Sequence, residues 1–468
     1  MKILIKKAFL ALPEETLKGD ILINNGVIAA INADIKENAD RIIDAEGLYL
    51  LPGGVDAHTH MGLDTGKALS SDTFTTGSRA ALFGGTTTIV DHMGFGRAEE
   101  TMPERLAFYH GQADGKTYCD YSFHGVIKNT DETTLNAIPL MKEEGISSFK
   151  IYSTYNYGLD TGAGLLAIQA LTRHNALTCI HCEDDSLLKY CAARLAAEGK
   201  LAPQFFGESR PAEAEAATVA AMLYAVQQAG KLPLYIVHLS SRLSLEQLTL
   251  ARAHGNHSIY AETCPQYLFL TDSHYKKSAD EALKYTLAPP LRSKTDCEAL
   301  WQALRDDTIQ TVATDHCPFF FDSRGQTTDK QAGRHDFRTA PCGLPGVELR
   351  MPLLFSEGVL NKRLSLQRMI KVCCENPAKL FGLYPRKGHL AVGADADMVL
   401  FNPDGITTVQ HAALHENTDY TPYEGLEVKG KIVMTLLRGQ IVVENNLFKA
   451  AEGYGEFIKR HTPLLTLQ

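Results

Sequence analysis

The chain has no apolar stretch approaching the roughly 20 residues that cross a bilayer, so no membrane partner is expected. Basic residues are in the minority, 46 against 55 acidic, for a formal net charge of -9. Binding nucleic acid by phosphate neutralisation needs a basic face, so no nucleic-acid partner is expected either. Behind the charged start, Phe9–Leu12 is an apolar run of four residues ending at Pro13, too short for a signal peptide. Ten cysteines in 468 residues do not make a disulfide framework. Cys179 and Cys182 form a lone CxxC and Cys373–Cys374 are adjacent; the set reads as reduced, buried small residues of a cytoplasmic protein. What remains is ordinary globular usage, 44% hydrophobic and 22% charged, which excludes disorder and collagen-like structure. The length suggests about three domains, or fewer if one α/β barrel absorbs 250 residues or more.

Both ends of the chain have a β texture. Ile21–Ile28 carries Asn24-Asn25-Gly26 between apolar runs, a hairpin signature. Ile42–Leu50 reads as a further strand pair, and Asp397–Phe401 and Ile432–Val443 are β-rich again. The two ends are expected to pair into one small β-domain. Between them, eight short β-branched runs alternate with helical stretches: Val55–Met61, Thr86–Met93, Tyr118–Ile127, Ser147–Ser153, Leu177–Glu183, Pro233–Ser240, Ser258–Tyr267 and Thr311–Pro318. Ala212–Gln228 and Leu243–His254 are examples of the helices. Eight strand-plus-helix units predict a closed parallel (β/α)8 TIM barrel. An open doubly wound sheet is disfavoured, because no GxGxxG follows the first strand. The expected α/β organisation is a β-sandwich from residues 1–51 and 391–445, a metal-dependent barrel over 52–390, and a C-terminal tail over 446–468.

Polar residues recur where the apolar strands end. His58-Thr59-His60 closes the first, Lys150 lies in the fourth, His181 in the fifth, His238 in the sixth and Asp315 in the eighth. In a barrel these ends open onto one face, where active sites sit. Strand alternation puts His58 and His60 on the same side. A lone HxH is a weak signal, but four histidines, one aspartate and one lysine converging on one rim point to a metal site. Imidazole and carboxylate suit zinc, with manganese, cobalt or iron as alternatives. The set is generous for one tetrahedral ion and fits two divalent ions about 3.5–4 Å apart better. An ammonium at Lys150 would be repelled there. Carbon dioxide added to the neutral amine gives a carbamate (N6-carboxylysine), an anion able to bridge two ions. The flanks Ser148-Phe149 and Ile151-Tyr152 place Lys150 in a buried run.

The segments Pro52–His60, Gly84–Asp91, Phe149–Tyr155, Ile236–Ser240, Glu262–Leu268, Ala288–Arg292 and Ala313–Pro318 resemble, in order, the cyclic amidohydrolases of the amidohydrolase superfamily. The likeness is to the hydantoinase/dihydropyrimidinase branch, strongest to the bacterial D-phenylhydantoinases, and runs from about residue 3 to about 445. The resemblance implies that His58, His60 and Asp315 bind the more buried ion and that His181 and His238 bind the second. It implies that carboxylated Lys150 and a hydroxide bridge the two, and that Tyr155 hydrogen-bonds the developing oxyanion. Main-chain groups at Ala288 and Cys342 would hold the cyclic amide. Asp315 would carry the proton from the nucleophile to the leaving nitrogen. The resemblance also implies the composite β-domain and a homotetramer.

Absent residues narrow the substrate. Dihydroorotases typically carry an Arg two residues after the HxH; here the stretch is Met61-Gly62, with no cation to grip a carboxylate. The allantoinase-like Glu-Pro-Gly-Arg run is missing too. The apolar members of Met61–Leu69, with Phe95 and the tyrosines Tyr152, Tyr155 and Tyr157, suit an uncharged 5-substituent. Expected substrates are 5-substituted, phenylhydantoin-like hydantoins, opened to N-carbamoyl amino acids, or alternatively dihydrouracil and dihydrothymine. Ala288 stands where the family usually has Ser, and Cys342 where it has Asn. Phe319-Phe320-Phe321 reads as loop packing or a subunit contact rather than a substrate gate. A catalytically silent scaffold homologue, in the manner of the collapsin-response mediator proteins, would lack part of the ligand set, and a mononuclear deaminase would not need Lys150.

Overall fold

The computed structural model describes residues 1–325 and 327–467. Eight parallel strands form one sheet: β1 (Gly54–Thr59), β2 (Thr86–His92), β3 (Asp120–Val126), β4 (Ser148–Tyr152), β5 (Leu177–His181), β6 (Leu234–Ile236), β7 (Ile259–Thr263) and β8 (Thr311–Val312). Each pairs with the next, in the order expected from the eight β-branched runs. The seam between β8 and β1 is closed by a parallel bridge, Thr59 to His316. Asp56 reinforces it, accepting from Thr314 N at 3.1 Å and Thr314 Oγ1 at 2.7 Å. Arg350, wholly buried, staples the same seam by donating to the Val55 and Val312 carbonyls at 3.1 and 2.8 Å. These side chains replace the ladder that a two-residue β8 cannot supply.

Helices on the outside start at side-chain caps: Thr73, Thr101, Asp131, Asp160, Asp184, Ser241 and Ser293 each accept from a first-turn backbone N–H. Helix Thr161–Arg173 shows why they pack. Gly164, Ala167, Ile168 and Leu171 fall on one face and are buried against the barrel.

The chain ends meet in a single mixed sheet of nine strands. Tyr49–Pro52 joins the halves, parallel to Lys2–Ala11 and antiparallel to Met398–Thr408. The Asn25-Gly26 turn has φ of 50° and 86°, which suits a tight hairpin. Ile3, Ile5, Ile21 and Ile23 share one core with Met398, Leu400, Leu436 and Ile441, so the sheet folds over to enclose its own apolar face. The last residues return to the barrel: Ile458 N donates to Tyr121 O at 2.7 Å, and the buried Arg460 donates to Ser122 and Ser148 at 2.9 and 2.7 Å. All ten cysteines are free thiols, nine of them buried. Among the described residues no helix is long and apolar enough to cross a membrane.

Candidate active site

His58 and His60 point their Nε2 atoms at one oxygen of Asp315, Oδ1, each at 3.1 Å. The ligand-type atoms of these three residues all lie within 4.8 Å of one another. Next to them, His181 Nδ1 faces His238 Nε2 at 2.9 Å, and the His58 and His238 rings lie 5.5 Å apart. Lys150 lies on β4, near enough to feel the charges of Asp315 and Glu262. Phe149 and Ile151, which flank it, belong to the apolar core, so strand alternation sends Lys150 to the other face. It is 1% exposed, and its Nζ lies 5.3 Å from the Tyr152 ring. Tyr155 stands over His181, ring centroids 5.3 Å apart. Tyr155, His238 and Asp315 have φ of 70°, 37° and 51°, a left-handed region that is uncommon for non-glycine residues.

The donor set suits a cation. Nδ1 of His58 is held by Glu262 at 2.6 Å, while the buried Nε2 has no hydrogen-bond partner. Fixing one ring nitrogen on a carboxylate directs the other, as a lone-pair donor, into the site. The second pair repeats the design: His181 Nε2 meets Glu183 at 2.8 Å, leaving Nδ1 turned inward. Burial, with Lys150 nearby, holds His58 well below the ordinary imidazole range; burial and His181 do the same to His238. Burial also lowers His181. These rings are therefore neutral near pH 7, as ligands must be. Burial also lowers the Lys150 amine, against the opposing pull of Asp315 and Glu262.

Several supporting residues carried no signal of their own in the sequence. Glu262 is wholly buried, receives His238 N at 3.0 Å and Tyr235 OH at 2.8 Å, and is pushed up to about 8 by burial. Burial alone would raise Glu183, but Arg210 and His181 bring it down to about 2. Arg210 donates to Glu183 through Nε at 3.0 Å and again through Nη2, and Nη2 lies 3.5 Å from the Tyr155 hydroxyl. One guanidinium thus links the tyrosine to the carboxylate behind His181. His92 is stacked on His124 at 4.0 Å and meets the His58 ring edge-on at 4.3 Å. Glu183 lies two residues beyond His181, and Arg210 sits in a loop without strand or helix periodicity.

The expected pocket residues separate. Phe95 packs on Tyr152 and Tyr157 at 4.8 and 4.9 Å, beside Tyr155. Met61 is wholly buried in the main core, whereas Leu69 is 50% exposed. Phe319 is buried with Ala68 and Cys317, which is packing. Ala288 and Cys342 are both half-buried, on segments that touch through Gly343 N and Thr286 O at 3.0 Å.

Residues 49–442 match the model of the amidohydrolase family. A curated D-phenylhydantoinase of Escherichia coli O1:K1 is 44% identical over 462 residues, 98% of each chain. The chain belongs to the amidohydrolase family. Among solved structures, a dihydropyrimidinase from Brevibacillus agri superposes with a TM-score of 0.95 at 37% identity, covering 99% of both chains. A D-hydantoinase from a Bacillus species does so with 0.94 at 38%, covering 98% of this chain and 99% of that one. The protein is thus a cyclic amidohydrolase of the hydantoinase/dihydropyrimidinase type, a hydrolase of C–N bonds in cyclic amides. The family is metal-dependent, in keeping with the His58, His60 and Asp315 cluster of this amidohydrolase.

Proposed function

We propose that the enzyme opens 5-substituted, phenylhydantoin-like hydantoins to N-carbamoyl amino acids, using two divalent ions, zinc in the first instance. His58, His60 and Asp315 would hold one ion, His181 and His238 the other, with Lys150 bridging them as its carbamate. Burial lowers the Lys150 amine, which favours the neutral form that adds carbon dioxide. Bound there, the ions would supply a bridging hydroxide as nucleophile and a Lewis acid for the ring carbonyl. The observation that carries the reading is the convergence of His58 and His60 on Asp315, with Lys150 1% exposed on β4 of the same barrel.

The chain's own groups then have definite tasks. The Tyr155 phenol, protonated at neutral pH, donates to the carbonyl oxygen as charge builds on it. Arg210, 3.5 Å from that hydroxyl, keeps it oriented. Asp315 accepts the nucleophile's proton and delivers it to the ring nitrogen as the C–N bond breaks. The product carries the new carboxylate and the released ureido nitrogen, so one water is consumed. Main-chain groups at Ala288 and Cys342 hold the ring. Phe95, Tyr152 and Tyr157 receive the 5-substituent; such an apolar wall separates close analogues by only about 1–3 kcal/mol.

A second substrate reading, dihydrouracil and dihydrothymine, is favoured by the dihydropyrimidinase relative at 37% identity. A silent scaffold is disfavoured by the complete donor set. The deciding experiment combines metal analysis with ring-opening absorbance on phenylhydantoin, dihydrouracil, dihydrothymine and allantoin. About two ions per chain and fastest opening of phenylhydantoin are expected. A metal-replete protein inert toward every cyclic amide would overturn the proposal.

A further inference from the structure

Lys330 is 0% exposed, and the groups that act on its amine are burial and the thiols of Cys342 and Cys317, with no carboxylate among them. A buried amine without a counter-ion is unfavourable unless every donor is used. Here all three are. Nζ donates to Thr286 O at 2.8 Å, Thr286 Oγ1 at 2.9 Å and Pro341 O at 3.2 Å. Thr286 Oγ1 itself donates to Pro341 O at 3.0 Å. The acceptors stand two residues before Ala288 and one before Cys342. The backbone N–H of Lys330 reaches Phe320 O at 3.0 Å, in the loop that follows Asp315. Gly343 is pressed so closely on the Cys317 carbonyl that a Cβ would not fit, which fixes the second segment from its other side.

We propose that Lys330 is a positioning residue that sets the distance between the two main-chain edges, at Ala288 and Cys342, which grip the cyclic amide. The inference rests on the reading of that cleft as the substrate site. The hydrogen bonds of Lys330 go to Thr286, Pro341 and Phe320 rather than to the histidines, so its removal loosens substrate binding while leaving the reacting groups in place. A methionine of similar length would fill the space but donate nothing to Thr286 or Pro341.

The test uses the metal-reconstituted full-length enzyme carrying Lys330→Met or Lys330→Arg, with kcat and KM for phenylhydantoin (or whichever cyclic amide the wild type opens fastest) and metal content measured side by side. For Lys330→Met, KM is expected to rise about tenfold or more, with kcat within about threefold and metal content unchanged; Lys330→Arg, which keeps donors, should recover part of the loss. A KM within about twofold of wild type, or a fall in kcat at constant KM, overturns the inference. Should Lys330→Met not fold, Thr286→Val, which removes the shared hydroxyl, carries the test: a several-fold rise in KM supports the inference and an unchanged KM overturns it. A wild type inert toward all cyclic amides would instead overturn the reading of the cleft.

Discussion

Glu183 and Arg210 lend themselves to a quantitative perturbation. Glu183 is wholly buried, between His181 Nε2 at 2.8 Å and the Arg210 guanidinium. Its carboxyl is held at about 2, against 4.5 for a free glutamate, which corresponds to roughly 3 kcal/mol of stability near neutral pH. Because the folded value is depressed, that contribution is present above pH 4.5 and is lost as the pH falls toward 2. Breaking a buried pair from one side typically costs about 3–5 kcal/mol, and Arg210 cannot escape by losing its proton. Glu183→Gln and Arg210→Met are therefore each expected to lower the urea-unfolding free energy of the metal-free protein by about 3 kcal/mol. Glu183→Gln combined with Arg210→Met should lose far less than the sum of the two single losses. Metal binding separates orientation from stability. Both Glu183→Gln and the double variant remove the anion that orients His181, so zinc affinity by competitive chelation should fall about 10–100-fold in each. Additive stability losses, or a Glu183→Gln variant that binds zinc like the wild type, would refute this account of the pair.

Lys150→Ala should lose metal and turnover, with partial rescue by short carboxylic acids that replace the carbamate; unchanged turnover removes the bridging role. Asp315→Asn should abolish ring opening even where some metal is retained, and near-normal rates would contradict its proton-transfer role. Reconstitution with metal under carbon dioxide-free buffer should be slow, and equal rates with and without carbon dioxide would argue against the carbamate. In the metal-free protein Glu262 is raised to about 8 from 4.5, so its contribution is full below pH 4.5 and is lost as the pH rises through 8. The melting temperature of the metal-free protein should therefore drop more steeply across that window in the wild type than in Glu262→Gln; parallel profiles would exclude Glu262 as the cause.

The barrel was legible because its signal is local. Each β-branched run carries a strand signal of its own, and the runs from Val55 to Pro318 each coincide with one of the eight strands observed, the first strand starting one residue earlier at Gly54. The histidines could be grouped because strand ends of a parallel barrel share one rim. The parts that escaped reading lie at junctions. Arg350 closes the β8–β1 seam from a helix nearly forty residues past β8, and nothing around it in sequence marks it. Arg210 and Lys330 come from irregular segments, where neither the twofold nor the 3.6-residue period applies. Met61 belongs to an apolar loop by sequence, yet space beside Gly77 draws it into the core.

Chemical identity along the chain was enough to determine which residue types can bind cations, where along the chain the barrel strands lie, and that both termini are β-rich, because these depend on side-chain chemistry and short-range periodicity. Tertiary structure alone decided that two imidazoles meet one carboxylate oxygen, that Glu262 and Glu183 each occupy one nitrogen of a histidine, and that a buried lysine spans two distant loops. Those are contacts between residues tens to hundreds of positions apart. Their distances and protonation are set by how the closed barrel excludes water, a property no single segment possesses.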